Sequence, residues 1–145
     1  MKDFFYMRDD GFSFAETIAS IAIMLILSAG VGFVAFKFID QAKLSAAKTQ
    51  IDSFKIALHS YYIDCGNYPN EAQGLDALWE KPIVSPVSPS WAGPYMDKEI
   101  PLDPWGNSYV YKTLNDKGLA FVIYSYGADG KEGGEGKNAD IVSWK

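Results

Sequence analysis

The 145-residue sequence contains little cysteine, little histidine and no excess of basic charge. A single cysteine, Cys65, excludes an intrachain disulfide. A single histidine, His59, cannot by itself form a histidine-based metal site or a catalytic constellation. The chain has 13 basic and 18 acidic residues, so its formal net charge of −5 gives no electrostatic support for nucleic-acid binding. We therefore predict neither an enzyme nor a nucleic-acid-binding protein.

Charged side chains are also missing from a long stretch near the N-terminus. Residues 18–36 carry none, and this length approaches the ~20 apolar residues that an α-helix needs to cross a bilayer. Because no small-residue cleavage site follows, the stretch predicts a membrane-spanning helix rather than a secretory signal. Glu16 is the one charge near its start, and a carboxylate in such a helix marks a candidate functional residue.

A second periodic segment follows the apolar stretch. Its apolar residues recur at spacings of three and four, which places them on one face of a helix: Leu44, Ala47, Ile51, Phe54, Leu58, Tyr61 and Cys65. We predict a single helix of about 50 residues that ends at the stop signals Gly66 and Pro69. The same spacing fits a coiled coil, but so short a run before a turn favours packing on the protein's own sheet.

The rest of the chain predicts a small α+β body. Asn70 and Gln73 form a capping-box pattern at the start of a short helix, which Pro82 ends. The proline-rich residues 83–104 predict a loop without regular structure. NSYVYKTL and LAFVIYSY, joined by a turn at residues 115–118, predict an antiparallel hairpin, and DIVSW predicts a third strand.

One glycine-rich acidic stretch, SYGADGKEGGEGKNAD at residues 125–140, is the best candidate binding site. Its oxygen-bearing side chains are Asp129, Glu132, Glu135, Asn138 and Asp140. Like-charged carboxylates on a flexible loop repel each other unless a cation gathers them. Calcium accepts roughly six to eight oxygens, including the backbone carbonyls that glycine-rich turns expose. The stretch is no EF-hand, so these residues alone leave open both a calcium site and an unliganded acidic loop.

Four sequence motifs together resemble one family. GFSFAE at residues 11–16, followed by the apolar run, resembles the N-terminal signal of type IV pilins and pseudopilins. YYIDCGNYPNEAQGLDAL, DPWGNSYVY and SYGADGKEGGEG resemble the major pseudopilins of type II secretion systems. The resemblance implies a pilin-like α+β fold. A long N-terminal helix, with a membrane half and an amphipathic half, would pack on a small antiparallel sheet with a calcium-binding C-terminal loop.

The resemblance also implies how the chain is divided and processed. Residues 1–11 would be a prepilin leader, residues 12–36 a transmembrane and assembly helix, and residues 37–145 a periplasmic globular domain. A prepilin peptidase would cleave after Gly11, and the new amine of Phe12 would be methylated. The mature chain would lie in the bacterial inner membrane as a single-pass protein with its C-terminal domain in the periplasm.

The implied function is that of a structural subunit. Copies of the chain would polymerise into a periplasmic pseudopilus that helps drive exoproteins through the outer-membrane secretin. Its partners would be other copies of itself, minor pseudopilins and the inner-membrane assembly platform, with no nucleic acid. Two alternatives fit the same residues: a type IV pilin for adhesion or DNA uptake, and a membrane-anchored calcium-binding protein that does not polymerise.

The resemblance to this family explains why Glu16 lies in an apolar helix. Once Phe12 is the N-terminus, the Glu16 carboxylate lies one turn into the helix, where the positive end of the helix dipole favours it. It could also pair with the Phe12 amine of a neighbouring subunit and so set the register between copies. The alternative is that Glu16 only reaches out to the membrane interface.

For the acidic loop the resemblance implies a bound Ca²⁺. Asp129 and Asp140 would share the ion with the carbonyl of Tyr126, and Glu135 or Asn138 would complete the set.

Overall fold

The computed structural model describes residues 11–114 and 116–144, without the side chains of residues 30–35. These residues form one long α-helix, α1, at Phe14–Cys65, and three strands. The strands are β1 at Val110–Lys112, β2 at Val122–Ser125 and β3 at Ile141–Val142. Apart from Gly11, the predicted leader 1–11 lies outside the described residues.

Two compact units divide the chain, one ending at Phe38 and the other beginning at Ile39. The first unit contains the N-terminal part of α1, where large apolar side chains such as Phe14 and Ile26 are 83% and 73% exposed. Where side chains are described, no helix combines the length and the hydropathy of a membrane span. Residues 30–35 of the predicted span lie outside that description.

The stripe predicted on the second half of α1 builds the core of the second unit. Five of its members are at most 1% exposed: Ala47, Ile51, Phe54, Leu58 and Tyr61. The helix ends at Cys65, and Gly66 follows with φ of 77°, which glycine adopts without the strain that a side chain would add. The prediction of one helix of about 50 residues, packed on the protein's own body, is confirmed by its 52 residues.

After α1 the structure contains the predicted capping box and a helix shorter than the sequence predicts. The Asn70 N–H donates to Gln73 Oε1 at 3.0 Å, and the Gln73 N–H donates to Asn70 Oδ1 at 2.8 Å. The predicted short helix is present, but only as a four-residue 3-10 helix, Leu75–Leu78, which follows the box. Gly74 departs from helical geometry with φ of 60°. Gln73 instead donates its side-chain amide to two carbonyls of the proline-rich loop, at 2.7 and 2.6 Å.

The three strands form one antiparallel sheet in the order β1-β2-β3. The predicted hairpin and third strand are therefore confirmed. In the pairing of β2 with β3, Ser125 lies opposite Ile141. This register brings the two ends of the glycine-rich acidic stretch together at one end of the sheet.

Aromatic residues join the sheet to α1. Tyr109, Tyr111 and Ile123 are buried with the helix stripe in one apolar core. The ring of Phe54 meets that of Tyr109 edge to face, with 5.1 Å between their centroids. The Tyr111 hydroxyl donates to the Pro69 carbonyl at 2.7 Å, so this buried polar group is satisfied.

Candidate functional site

A capping box opens α1 at the predicted assembly residue. The Ser13 N–H donates to Glu16 Oε2 at 2.8 Å, and the Glu16 N–H donates to Ser13 Oγ at 3.2 Å. This reciprocal pair satisfies backbone donors that the first turn of a helix leaves without partners. Sequence reasoning missed Ser13, although the S-x-x-E pattern that signals such a box is present in SFAE.

The predicted cleavage site lies immediately before this box. Gly11 and Phe12 are both exposed and precede the first helical residue. Phe12 is 86% exposed, and a Cβ built on Gly11 would meet no atom within 4 Å. The segment is therefore accessible to a processing enzyme in this structure. Whether it is cut there stays a prediction.

The acidic stretch folds as two short turns that are joined by a glycine-rich segment. Gly127–Asp129 and Gly136–Asn138 are 3-10 turns, and the two contact each other. Gly127 permits this contact, since a Cβ there would lie 2.9 Å from the Ala139 carbonyl oxygen. A Cβ on Gly134 would collide with the Asn138 carbonyl. Glycine is thus required where the outgoing and returning backbones approach each other.

The predicted ligands lie on these turns or directly beside them, and their surroundings differ. Asp129 is exposed and accepts the Lys131 N–H at 3.2 Å, while Glu135 is exposed. Asn138 and Asp140 are half-buried on the returning segment. The pKa of Tyr126 is raised to about 12, mainly by a hydrogen bond with the Tyr124 side chain and secondly by burial. The Tyr126 hydroxyl is therefore neutral at ordinary pH.

One carboxylate oxygen of Asp140 is buried without a hydrogen-bond donor. Its Oδ2 accepts the Gly133 N–H at 3.0 Å, whereas Oδ1 has no partner. A buried acceptor left in this way costs roughly 1–3 kcal/mol, and a cation at Oδ1 would remove that cost. Among the described residues, no three His, Cys, Asp or Glu side chains are grouped to hold a metal. An ion here would need backbone and amide oxygens as well, which Ca²⁺ accepts.

Comparison with known proteins shows similarity of both sequence and fold. A sequence profile of the family described as "Type II secretion system (T2SS), protein G" matches residues 35–144. Type II secretion system core protein G of Pseudomonas aeruginosa is 41% identical over 137 residues, which cover 94% of this chain and 96% of that protein. The chain belongs to the type II secretion system protein G family.

Two further proteins are similar to this chain. The core protein G of Vibrio cholerae is 37% identical over 137 residues, covering 94% of this chain and 92% of that protein. The crystal structure of the major pseudopilin from the type 2 secretion system of enterohaemorrhagic Escherichia coli is similar with a TM-score of 0.61 and 31% identity. That similarity covers 72% of this chain and 89% of that one. The predicted family and pilin-like α+β fold are confirmed, whereas the calcium site and the assembly residues stay predictions.

Proposed function

We propose that this chain is the major pseudopilin of a type II secretion system. Copies of it polymerise into the periplasmic pseudopilus, together with minor pseudopilins and the inner-membrane assembly platform, and help drive exoproteins through the outer-membrane secretin. One observation carries the proposal: the similarity to a core protein G extends over 94% of the chain, from the N-terminal helix to the acidic loop. The role is structural, and no residue is assigned to catalysis.

The N-terminal part of α1 would drive assembly by replacing its contacts with lipid by contacts with neighbouring subunits. We place residues 12–36 in the inner membrane and the second unit in the periplasm. Exposed apolar side chains, such as Phe14, would pack against the same segment of other copies. Lipid tails are as apolar as these side chains, so apolar contact alone gives little preference for the filament. Pairing of Glu16 with a neighbour's Phe12 amine would add that preference and fix the stagger between copies.

Fibre formation and secretion together test this proposal. In the native host, deletion of the gene should stop exoprotein secretion, and a plasmid copy should restore it. Cells that overproduce the chain should yield sheared surface fibres, visible by electron microscopy, that contain it. Fibres without a secretion defect would instead favour a type IV pilin for adhesion or DNA uptake. No fibres in a host with an active prepilin peptidase would favour an anchored protein that does not polymerise.

N-terminal processing gives a separate prediction. The intact mass of membrane-extracted protein should lack residues 1–11 and carry one extra methyl group on Phe12. Gly11→Ala should be tolerated, whereas Gly11→Val should block cleavage because a branched side chain crowds the scissile bond in the peptidase. The chain itself leaves room for either change, since no atom lies within 4 Å of a Cβ at Gly11. A full-length mass for the unchanged protein in a peptidase-proficient host would contradict this assignment.

We further propose that the acidic loop holds one Ca²⁺. Asp129 and Asp140 would supply the negative charge, and the Tyr126 carbonyl with Glu135 or Asn138 would supply further oxygens. The buried Oδ1 of Asp140 supports this proposal, because it has no donor of its own. The ion would neutralise like charges and tie the end of β2 to the start of β3.

Calcium is expected to raise the melting temperature of the detergent-solubilised full chain above its value in chelator. Extracellular calcium modules bind with Kd of roughly 10⁻⁴–10⁻³ M, so millimolar calcium should add about 1 kcal/mol of stability. Asp129→Ala and Asp140→Asn should erase the difference, because each removes a charged ligand. Magnesium should substitute poorly, since it requires a small octahedral site.

Glu132→Gln provides the matched control for this measurement. It removes one negative charge from the same loop but lies outside the proposed ligand set, so the calcium-dependent shift should persist. A melting temperature of the unchanged chain that ignores calcium from micromolar to millimolar concentrations would exclude the site.

A further inference from the structure

A buried carboxylate lies beside the start of the acidic loop, in the DPWGN motif at residues 103–107. Asp103 is only 4% exposed. Its Oδ1 accepts the backbone N–H groups of Trp105 at 3.0 Å and Asn107 at 2.8 Å, and its Oδ2 accepts the Ser125 hydroxyl at 2.6 Å. An ionised carboxylate is an acceptor only, so three donors offset much of the cost of burying it.

Two hydrogen-bonded routes lead from Asp103 to Gly127, the first residue of the Gly127–Asp129 turn. Along one route, the Ser125 Oγ that donates to Asp103 accepts the Gly127 N–H at 3.1 Å. Along the other, Asp103 Oδ1 accepts the Asn107 N–H and the Asp103 N–H donates to the Asn107 carbonyl, while Asn107 Nδ2 donates to the Gly127 carbonyl at 3.3 Å. Both polar backbone groups of Gly127 are thus held by side chains that Asp103 orients.

Asn107 also lies close to the far end of the same turn. A Cβ built on Gly130 would be 3.4 Å from Asn107 Oδ1, so this side chain bonds to Gly127 and lies near Gly130, on either side of Ala128 and Asp129. Gly127 in turn packs against the Ala139 carbonyl, one residue before Asp140. The network therefore fixes the outgoing turn where it meets the returning segment.

We propose that Asp103 and Asn107 are positioning residues for the cation of the acidic loop. They hold the Gly127–Asp129 turn against the returning segment before the ion binds, and neither residue is assigned a contact with the ion. This inference rests on the proposed calcium site. A loop that is ordered in advance loses less entropy on binding, so breaking the network should weaken calcium affinity in addition to lowering stability.

Calorimetric titration of the detergent-solubilised full chain with calcium chloride tests the proposal. Asn107→Ala removes the hydrogen bond to Gly127 but keeps the backbone N–H that Asp103 accepts. Loss of one hydrogen bond is expected to raise the Kd for calcium about fivefold. Asn107→Ser, whose hydroxyl is too short for the same bond, serves as a second variant if the alanine variant folds poorly.

Tyr111→Phe is the matched control. It removes one buried hydrogen bond, to the Pro69 carbonyl, from the core rather than from the loop. It should lower the melting temperature in chelator and leave the Kd for calcium unchanged. An unchanged Kd in both Asn107 variants, or an equal rise in Tyr111→Phe, would overturn the positioning role alone. If the unchanged chain gives no binding heat at millimolar calcium, the calcium site itself is overturned and the positioning role with it.

Discussion

Replacement of Glu16 by leucine is expected to abolish fibre assembly while leaving the protein in the membrane fraction. An apolar residue only favours membrane insertion, so the amount of inserted protein should not fall. Assembly should fail because the Phe12 amine of the neighbouring subunit loses its counter-charge. Removing one partner of a buried ion pair costs roughly 3–5 kcal/mol, which corresponds to more than about a hundredfold in subunit association. Fibre yield in the sheared fraction and protein content of the membranes are the two quantities to measure.

Two matched variants separate this pairing from the capping box that Glu16 forms with Ser13. Glu16→Gln can complete the box but carries no charge, so it should fail to assemble as the leucine variant does. Ser13→Ala removes the hydroxyl that accepts the Glu16 N–H but keeps the charge, so fibres should persist. Normal fibre yield from Glu16→Gln would reject the pairing and leave Glu16 as a helix cap.

Phe54→Ala is expected to lower the free energy of unfolding of the second unit by about 4 kcal/mol. Its side chain is fully buried at 0% exposure, so the substitution leaves a cavity. It also removes the edge-to-face contact with Tyr109, a type of pair that adds roughly 1 kcal/mol beyond burial. Urea unfolding of the detergent-solubilised chain, followed by near-UV circular dichroism, would measure the loss.

Ile56→Ala is the control for this prediction, because it shortens an apolar side chain two residues further along the same helix. Ile56 is 69% exposed, so its loss should change the stability by less than about 0.5 kcal/mol. A loss as large as that of Phe54→Ala would contradict the core described for this unit.

The helix and the sheet could be predicted because local sequence determines them. The three-and-four spacing around Leu58 places one face of α1 in the core, and β-branched and aromatic residues on either side of a turn define the hairpin. The 3-10 turn at Leu75–Leu78 could not be predicted in this way. Trp91 Nε1 and the Tyr95 N–H donate to the carbonyls of Ala77 and Leu78, at 3.0 and 2.7 Å. These distant donors take the carbonyls that a longer helix would use within itself.

The candidate site could likewise be predicted only in part. Composition identifies the acidic loop, because carboxylates and glycines are visible in the sequence. The network that holds it is not visible, since Asp103 and Ser125 are 22 positions apart and meet only in the folded chain. Nor does any pattern reveal that Asp140 Oδ1 is buried without a donor. Ser13 is different, because the S-x-x-E pattern of a capping box is present in the sequence and predicts its pairing with Glu16.

The outer strands of the sheet are short. β1 has three residues and β3 has two. Long unpaired strand edges recruit strands from other molecules and are a common route to aggregation. A subunit of the proposed pseudopilus would be present in many copies before assembly, which would increase that hazard. Edges this short offer few backbone groups for such pairing, so they are poor templates for cross-β aggregation among unassembled subunits.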